Sequence, residues 1–229
     1  MLLIGFILHG AFAQRAMKIQ QANDILAKVV KGFEEVKDFT AVIDAEINMD
    51  RVQIPKMHAE LFFKKPDKVH FSSQGFLLVP REGIALNPSV LQEHYLASSA
   101  EHDTIDGKKM FKLLLVAKDA KTRLRMLSIW VDPINWTVTK IETIPYENRT
   151  ISMIFTNECH QGKYWLPSKL IVSFASESEK MQKDSSHSSD NQFDNLQRSA
   201  LRSGTVTIVY SNYKINIGLS DEIFEKKEK

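Results

Sequence analysis

Three features of the sequence have residue types able to do chemistry. Glu101-His102-Asp103 sets a carboxylate on each side of an imidazole, the raw material of general acid–base catalysis. Adjacent residues of an extended segment point to opposite faces, so the three cannot converge on one substrate atom from a strand. The triplet reads as a polar loop. Lys64, Lys65 and Lys68 sit among Phe62, Phe63 and Phe71, a composition suited to stacking and neutralising single-stranded nucleic acid. The same residues fit the polar face of an amphipathic hairpin, and a formal net charge of only +2 gives no field to attract a polyanion. Nucleic acid is not expected as a partner. Cys159 is the single cysteine, which excludes an intramolecular disulfide and reads as a small packed hydrophobe.

The search for other constellations is negative. No His/Cys/Asp/Glu group has zinc-ligand spacing. No nucleophile elbow, phosphate loop or dinucleotide fingerprint is present, and the nine glycines are scattered. The chain therefore reads as a binding protein without metal or cofactor, not as an enzyme. Asn135-Trp136-Thr137 and Asn148-Arg149-Thr150 match the glycosylation acceptor pattern, which also arises often by chance.

The elements that would position any site follow from hydrophobic spacing. The chain has 229 residues, 43% hydrophobic and 25% charged, enough for one domain with a sizeable core. Met1 to Ala13 has no Lys, Arg, Asp or Glu and ends in Ala11-Phe12-Ala13, as a secretory signal peptide cleaved before Gln14 would. No basic residue precedes the apolar run. Residues 14–229 are expected to form a single domain. From Met17 to Val36, Ile19, Ala22, Leu26, Val29, Phe33 and Val36 fall at helical spacing. From Phe39 the period becomes two, with Phe39, Ala41, Ile43, Ala45, Ile47 and Met49 on one face of a strand. A second strand spans about 56–65, Pro66-Asp67 turns the chain, and Val69 and Phe71 resume the alternation. Phe76 to Val79 is a further apolar run. Asn87-Pro88-Ser89 starts a short helix bearing Val90, Leu91 and Tyr95. Strands are expected at 110–117, 124–131, 137–143, 150–156, 164–174 and 205–217. Residues 175–203 are polar enough to form a mobile insertion between two strands. Ile223-Phe224 is expected to pack at the end, with a frayed tail at 226–229.

The segment Leu61-Phe62-Phe63-Lys64-Lys65-Pro66-Asp67-Lys68-Val69-His70-Phe71 resembles the LolA/LolB lipoprotein-carrier superfamily, in which a strand ends in a basic residue plus Pro and an aromatic-bearing strand follows. Weaker echoes are Trp130-Val131-Asp132-Pro133 leading into Thr139-Lys140-Ile141-Glu142, and Leu166-Pro167-Ser168-Lys169. The resemblance implies a mainly β fold with α: a curved antiparallel sheet, an incomplete β-barrel, covered by N-terminal and inserted lid helices. It implies a monomeric periplasmic carrier that takes lipoprotein acyl chains or another lipid from an inner-membrane ABC transporter to an outer-membrane receptor. The alternative is a periplasmic lipid- or protein-sensing interaction domain of the same fold. On this frame Ala41, Ile43, Ile47, Leu61, Phe63, Val69 and Phe71 are expected to wall an apolar cavity. Ile19, Leu26, Val29 and Phe33, with Val90, Leu91 and Tyr95, are expected to form the lid. The resemblance places Lys65 where the family has an Arg that hydrogen-bonds the lid helices, so Lys65 is the expected latch. Strand parity puts it on the face of Leu61 and Phe63.

Overall fold

The computed structural model describes residues 4–49, 52–53, 55–72, 87–120, 122, 124–143, 149–176 and 204–225. Helix α1 spans Ile4–Gly32. Strands β1 (Asp38–Met49), β2 (Val52–Gln53), β3 (Met57–Lys64) and β4 (Lys68–Phe71) follow, then helix α2 (Pro88–His94). The rest is strand: β5 (Tyr95–Ile105), β6 (Lys108–Ala117), β7 (Met126–Val131), β8 (Val138–Thr143), β9 (Arg149–His160), β10 (Tyr164–Ser176) and β11 (Gly204–Ile215), before a 3-10 turn at Asp221–Ile223.

All the strands belong to one antiparallel sheet in the order β4-β3-β1-β11-β10-β9-β8-β7-β6-β5, with β2 appended to β1. Its two ends, β4 and β5, do not pair with each other among the described residues, so the sheet curves without closing. Bulges bend it. The β1–β11 register slips between Thr40 and Val42, beside Asn212 at φ 53, and further slips occur at Ala97/Ser99, Trp130/Val131 and Pro167/Lys169. Pro167, which cannot donate to a ladder, is accommodated at the last of these.

Helix α1 lies against β5 and α2, over the inner face of the sheet. Its described buried face, Ala22, Ile25, Leu26, Val29 and Phe33, repeats at three and four residues. After Gly32 the helix tightens through i to i+3 bonds, Phe33 N–H to Val30 and Glu34 N–H to Lys31, and the chain turns into β1. The buried faces of α1 and the sheet form one contiguous apolar core. The expected cleavage point after Ala13 falls inside α1, and the described buried face begins only at Ala22.

Several expectations change. Glu101-His102-Asp103 is not a loop but part of edge strand β5, whose bulge and polar outer face hid its alternation. As strand geometry demands, the triplet splits: His102 packs on Phe111 at 5.1 Å, while Glu101 pairs with Lys112 at 3.2 Å. Tyr95 is the first residue of β5 rather than part of α2, because its backbone is already extended (φ −127°, ψ 154°). Cys159 is exposed: it shares the parity of buried Met153 and Phe155 but stands near the end of β9, where it and Glu158 both meet solvent. The run Phe76–Val79, residues 177–203 of the expected insertion and the tail lie outside the described residues, while Ala175 and Ser176 finish β10.

Candidate functional site

A cleft of about 430 Å³, its open mouth included, lies where α1 ends. The last turn of α1 contributes Val29 and Gly32, the turn after it Phe33, and the start of α2 Pro88. The β7–β8 loop supplies Asn135 to Val138, β9 supplies Asn157, and β10 supplies Trp165 and Pro167. Most of that volume is open mouth: the enclosed part is about 40 Å³, so in this state the cleft is a shallow entry and not a chain-sized cavity.

The β7–β8 loop is rigidly built. Asp132 and Thr137 close it with a backbone bond of 2.9 Å, and the Asp132 carboxylate accepts the Ile134 N–H at 2.7 Å. The Asn135 Oδ1 accepts from both the N–H and the hydroxyl of Thr137, at 3.1 and 2.7 Å. Such side-chain-to-backbone bonds are why Asx residues shape tight loops. Trp136, at φ 58, stacks on Phe111 with centroids 6.0 Å apart, and the Lys28 ammonium of α1 sits 4.3 Å from an indole centroid of Trp136. Asn157 donates to the Val138 carbonyl at 3.0 Å. Under the cleft, burial pushes the Tyr213 phenol well up, so it stays neutral and donates to the Pro167 carbonyl at 2.7 Å.

The segment joining α1 to the sheet is gripped from two sides. The Lys65 Nζ donates to the carbonyls of Phe33 and Glu34 at 2.8 and 2.7 Å and lies 5.2 Å from the Phe33 ring centroid. These carbonyls sit just past the helix end, where a cation also meets the negative pole of the helix. Desolvation lowers the Lys65 pKa from its ordinary value, and Glu34 partly opposes this. On the other side Asn216, at φ 55, accepts the Lys37 N–H at 2.7 Å and donates to the Glu35 carbonyl at 2.9 Å. Buried Asp38 accepts the N–H groups of Ile217 and Gly218 at 2.8 and 3.1 Å. Lys163 adds an ion pair to Glu35.

The expected wall residues do not line this cleft. Ala41, Ile43 and Leu61 are fully buried, Phe63 is 1% and Ile47 4% exposed, and Val69 and Phe71 pack partly buried against the same core. Phe63 meets Phe39 at 5.0 Å and Phe33 at 5.8 Å. Of the expected lid residues, Val29 and Phe33 reach the cleft. Leu26 and Leu91 are buried, Val90 is half-buried, and Ile19 stands 36% exposed on the outer side of α1. Asn135, Trp136, Asn157 and Trp165 were missed as site residues. For Asn135 and Trp136 the available signal was an Asx-rich hairpin loop carrying a tryptophan; Asn157 and Trp165, on β9 and β10, had none.

The outer face holds a second ordered cluster. Trp130 is buried there between Lys112 and Lys140, whose ammoniums lie 5.4 and 4.3 Å from its ring, and its N–H donates to Asp103 at 2.7 Å. That bond, then the Thr104 N–H, holds the Asp103 carboxyl below the usual range.

No family model matches the chain, and no curated protein matches it significantly. Solved structures do match. A domain assigned to outer-membrane lipoprotein sorting from Vibrio parahaemolyticus aligns with TM-score 0.63 and 11% identity over 90% of this chain and 97% of its own. A DUF1329 family protein from Desulfovibrio piger gives 0.58 and 16% over 91% and 97%. A LolA superfamily protein from Nitrosomonas europaea gives 0.54 and 14% over 90% and 97%. The fold is that of the LolA superfamily. At these identities the likeness to LolA-like proteins is one of architecture, covering nearly the whole of each chain.

Within this LolA-like frame, Lys65 sits at the turn after β3 and reaches the carbonyls behind the N-terminal helix. Among the described residues no group of His, Cys, Asp and Glu is arranged to hold a metal, and no helix is long and apolar enough to cross a membrane.

Proposed function

We propose that this chain is a periplasmic carrier that binds an acyl chain, of a lipoprotein or another lipid, beneath α1, with the cleft as the point of entry. The observation that carries the reading is an apolar and aromatic cleft beside a helix end whose trailing carbonyls Lys65 holds. The tightly packed inner face then corresponds to the closed, unloaded state. Loading swings α1 about residues 33–37 and exposes Phe63 and its neighbours to the chain. Lys65 acts as the latch.

The energetics suit a carrier. Each buried methylene is worth ~0.8 kcal/mol relative to water, so a sixteen-carbon chain gains roughly 12 kcal/mol. Relative to a membrane the gain is near zero, so the carrier needs an energised donor and a better acceptor. By likeness to the superfamily these are an inner-membrane ABC transporter and an outer-membrane receptor. Cleavage before Gln14 after export would leave the described buried face of α1 intact.

The three tryptophans give a direct test. A brominated monoacylglycerol should quench the fluorescence of the native chain. Quenching should persist in Trp130→Phe, whose indole lies on the outer face, and vanish in the Trp136→Phe/Trp165→Phe double variant. A native chain whose emission the probe leaves untouched would refute acyl binding.

A further inference from the structure

Resting on the acyl-binding reading, we infer that the cleft selects an uncharged, hydrogen-bonding junction at the head of the chain, an ester, amide or hydroxyl, and discriminates against a free carboxylate. Among the described residues every side chain lining the cleft is neutral. Its polar residues are Asn135, Thr137 and Asn157, beside the two tryptophans Trp136 and Trp165. Asn135 uses its oxygen on Thr137, leaving its NH₂ free of any bond among the described residues. Asn157 does the reverse, spending an N–H on the Val138 carbonyl and leaving its oxygen. Trp136 and Trp165 line the cleft beside them. The wall thus presents both donors and an acceptor.

An amide or a glycerol hydroxyl both gives and accepts hydrogen bonds, and satisfies such a wall. A carboxylate only accepts. It would meet the Asn157 oxygen with repulsion and lose its hydration without a facing cation. Lys28 is engaged over a Trp136 ring, and Lys65 on the Phe33 and Glu34 carbonyls. Of the apolar lining residues, Val29, Phe33 and Val138 belong to the core.

The test compares three brominated probes of equal chain length on the native chain, read by tryptophan quenching at about pH 8, where a carboxyl is ionised. These are a monoacylglycerol, a primary fatty amide and a fatty acid. The ester and the amide should each bind about tenfold or more tightly than the acid, a gap of about 1.4 kcal/mol. Equal or tighter binding of the acid overturns the selectivity and leaves acyl binding standing. No quenching by any of the three removes the acyl reading, and this inference with it.

Discussion

Phe63 and Trp165 are both large aromatics on strands of one sheet, and their surroundings differ sharply. Phe63 is 1% exposed, wedged between Phe33 and Phe39. Trp165 is 37% exposed at the rim of an open cleft. On the β1–β3 side, the turn that follows α1 seats Phe33 directly on Phe63. On the β8–β10 side α1 reaches its end at Gly32, and beyond its last turn the β7–β8 loop and Pro88 of α2 border the cleft. Vacancy in this molecule therefore depends on where a helix stops, not on how apolar the strand beneath it is. The two regions are joined through residues 33–37, which Lys65 and Asn216 both hold.

Truncation separates the two sides most strongly. Phe63→Ala should lower the unfolding free energy by about 3–5 kcal/mol, read by urea denaturation. Trp165→Ala should stay within about 0.5 kcal/mol of the parent. Equal costs would erase the distinction between a filled and an open side.

Lys65→Met probes the connection between them. It removes two hydrogen bonds from a charged donor, an effect of about 1–3 kcal/mol confined to the helix. Amide exchange in α1 should quicken while β1 and β3 keep their protection. Unchanged exchange in α1 would show that Lys65 is not what restrains it.

Gly32→Leu acts on the cleft alone. A Cβ there meets nothing within 4 Å, so the fold should accept it. Removing a helical glycine should gain about 0.5–1 kcal/mol. The new side chain should project into the cleft and weaken acyl-probe quenching. A variant as stable as the parent that binds the probe equally well would move the site elsewhere.

The smallest effect is at Asp221, which bridges Lys64 and Lys68 at 2.7 and 2.9 Å and ties the 3-10 turn to the β3–β4 hairpin. Hydrogen bonds from the two lysines, reinforced by their charge, lower its carboxyl from the ordinary 3.8 to about 2. A depressed carboxyl contributes its stabilisation above the unfolded value and loses it as pH falls through the folded one. Exchange protection of residues 219–224 should decline between those two values in the parent. In Asp221→Asn that step should be absent, and its persistence would assign the titration to another group.

Much of the architecture was legible in the sequence, for a reason visible in β1 and β3. Ala41, Ile43, Ile47, Leu61 and Phe63 share a parity, and all turned inward. The edge strand β5 was not legible, because an edge needs only one apolar face and its bulge at Ser98 shifts even that face by one residue. Trp130 was equally hidden. Its cover is made of lysine stems, which a polar/apolar pattern counts as wet.

The sequence by itself determined which residues leave water, because alternation at two and at three to four residues is a property of the chain's own geometry. It also placed a basic residue at the turn after β3. Only the tertiary structure decided that the expected cavity wall is packed solid, that the opening lies beside Gly32, and that the ammonium of Lys65 finds two carbonyls thirty residues away. A buried apolar side chain has the same pattern whether its neighbour is another side chain or an empty space. That choice is made by the meeting of distant segments, and local spacing holds no record of it.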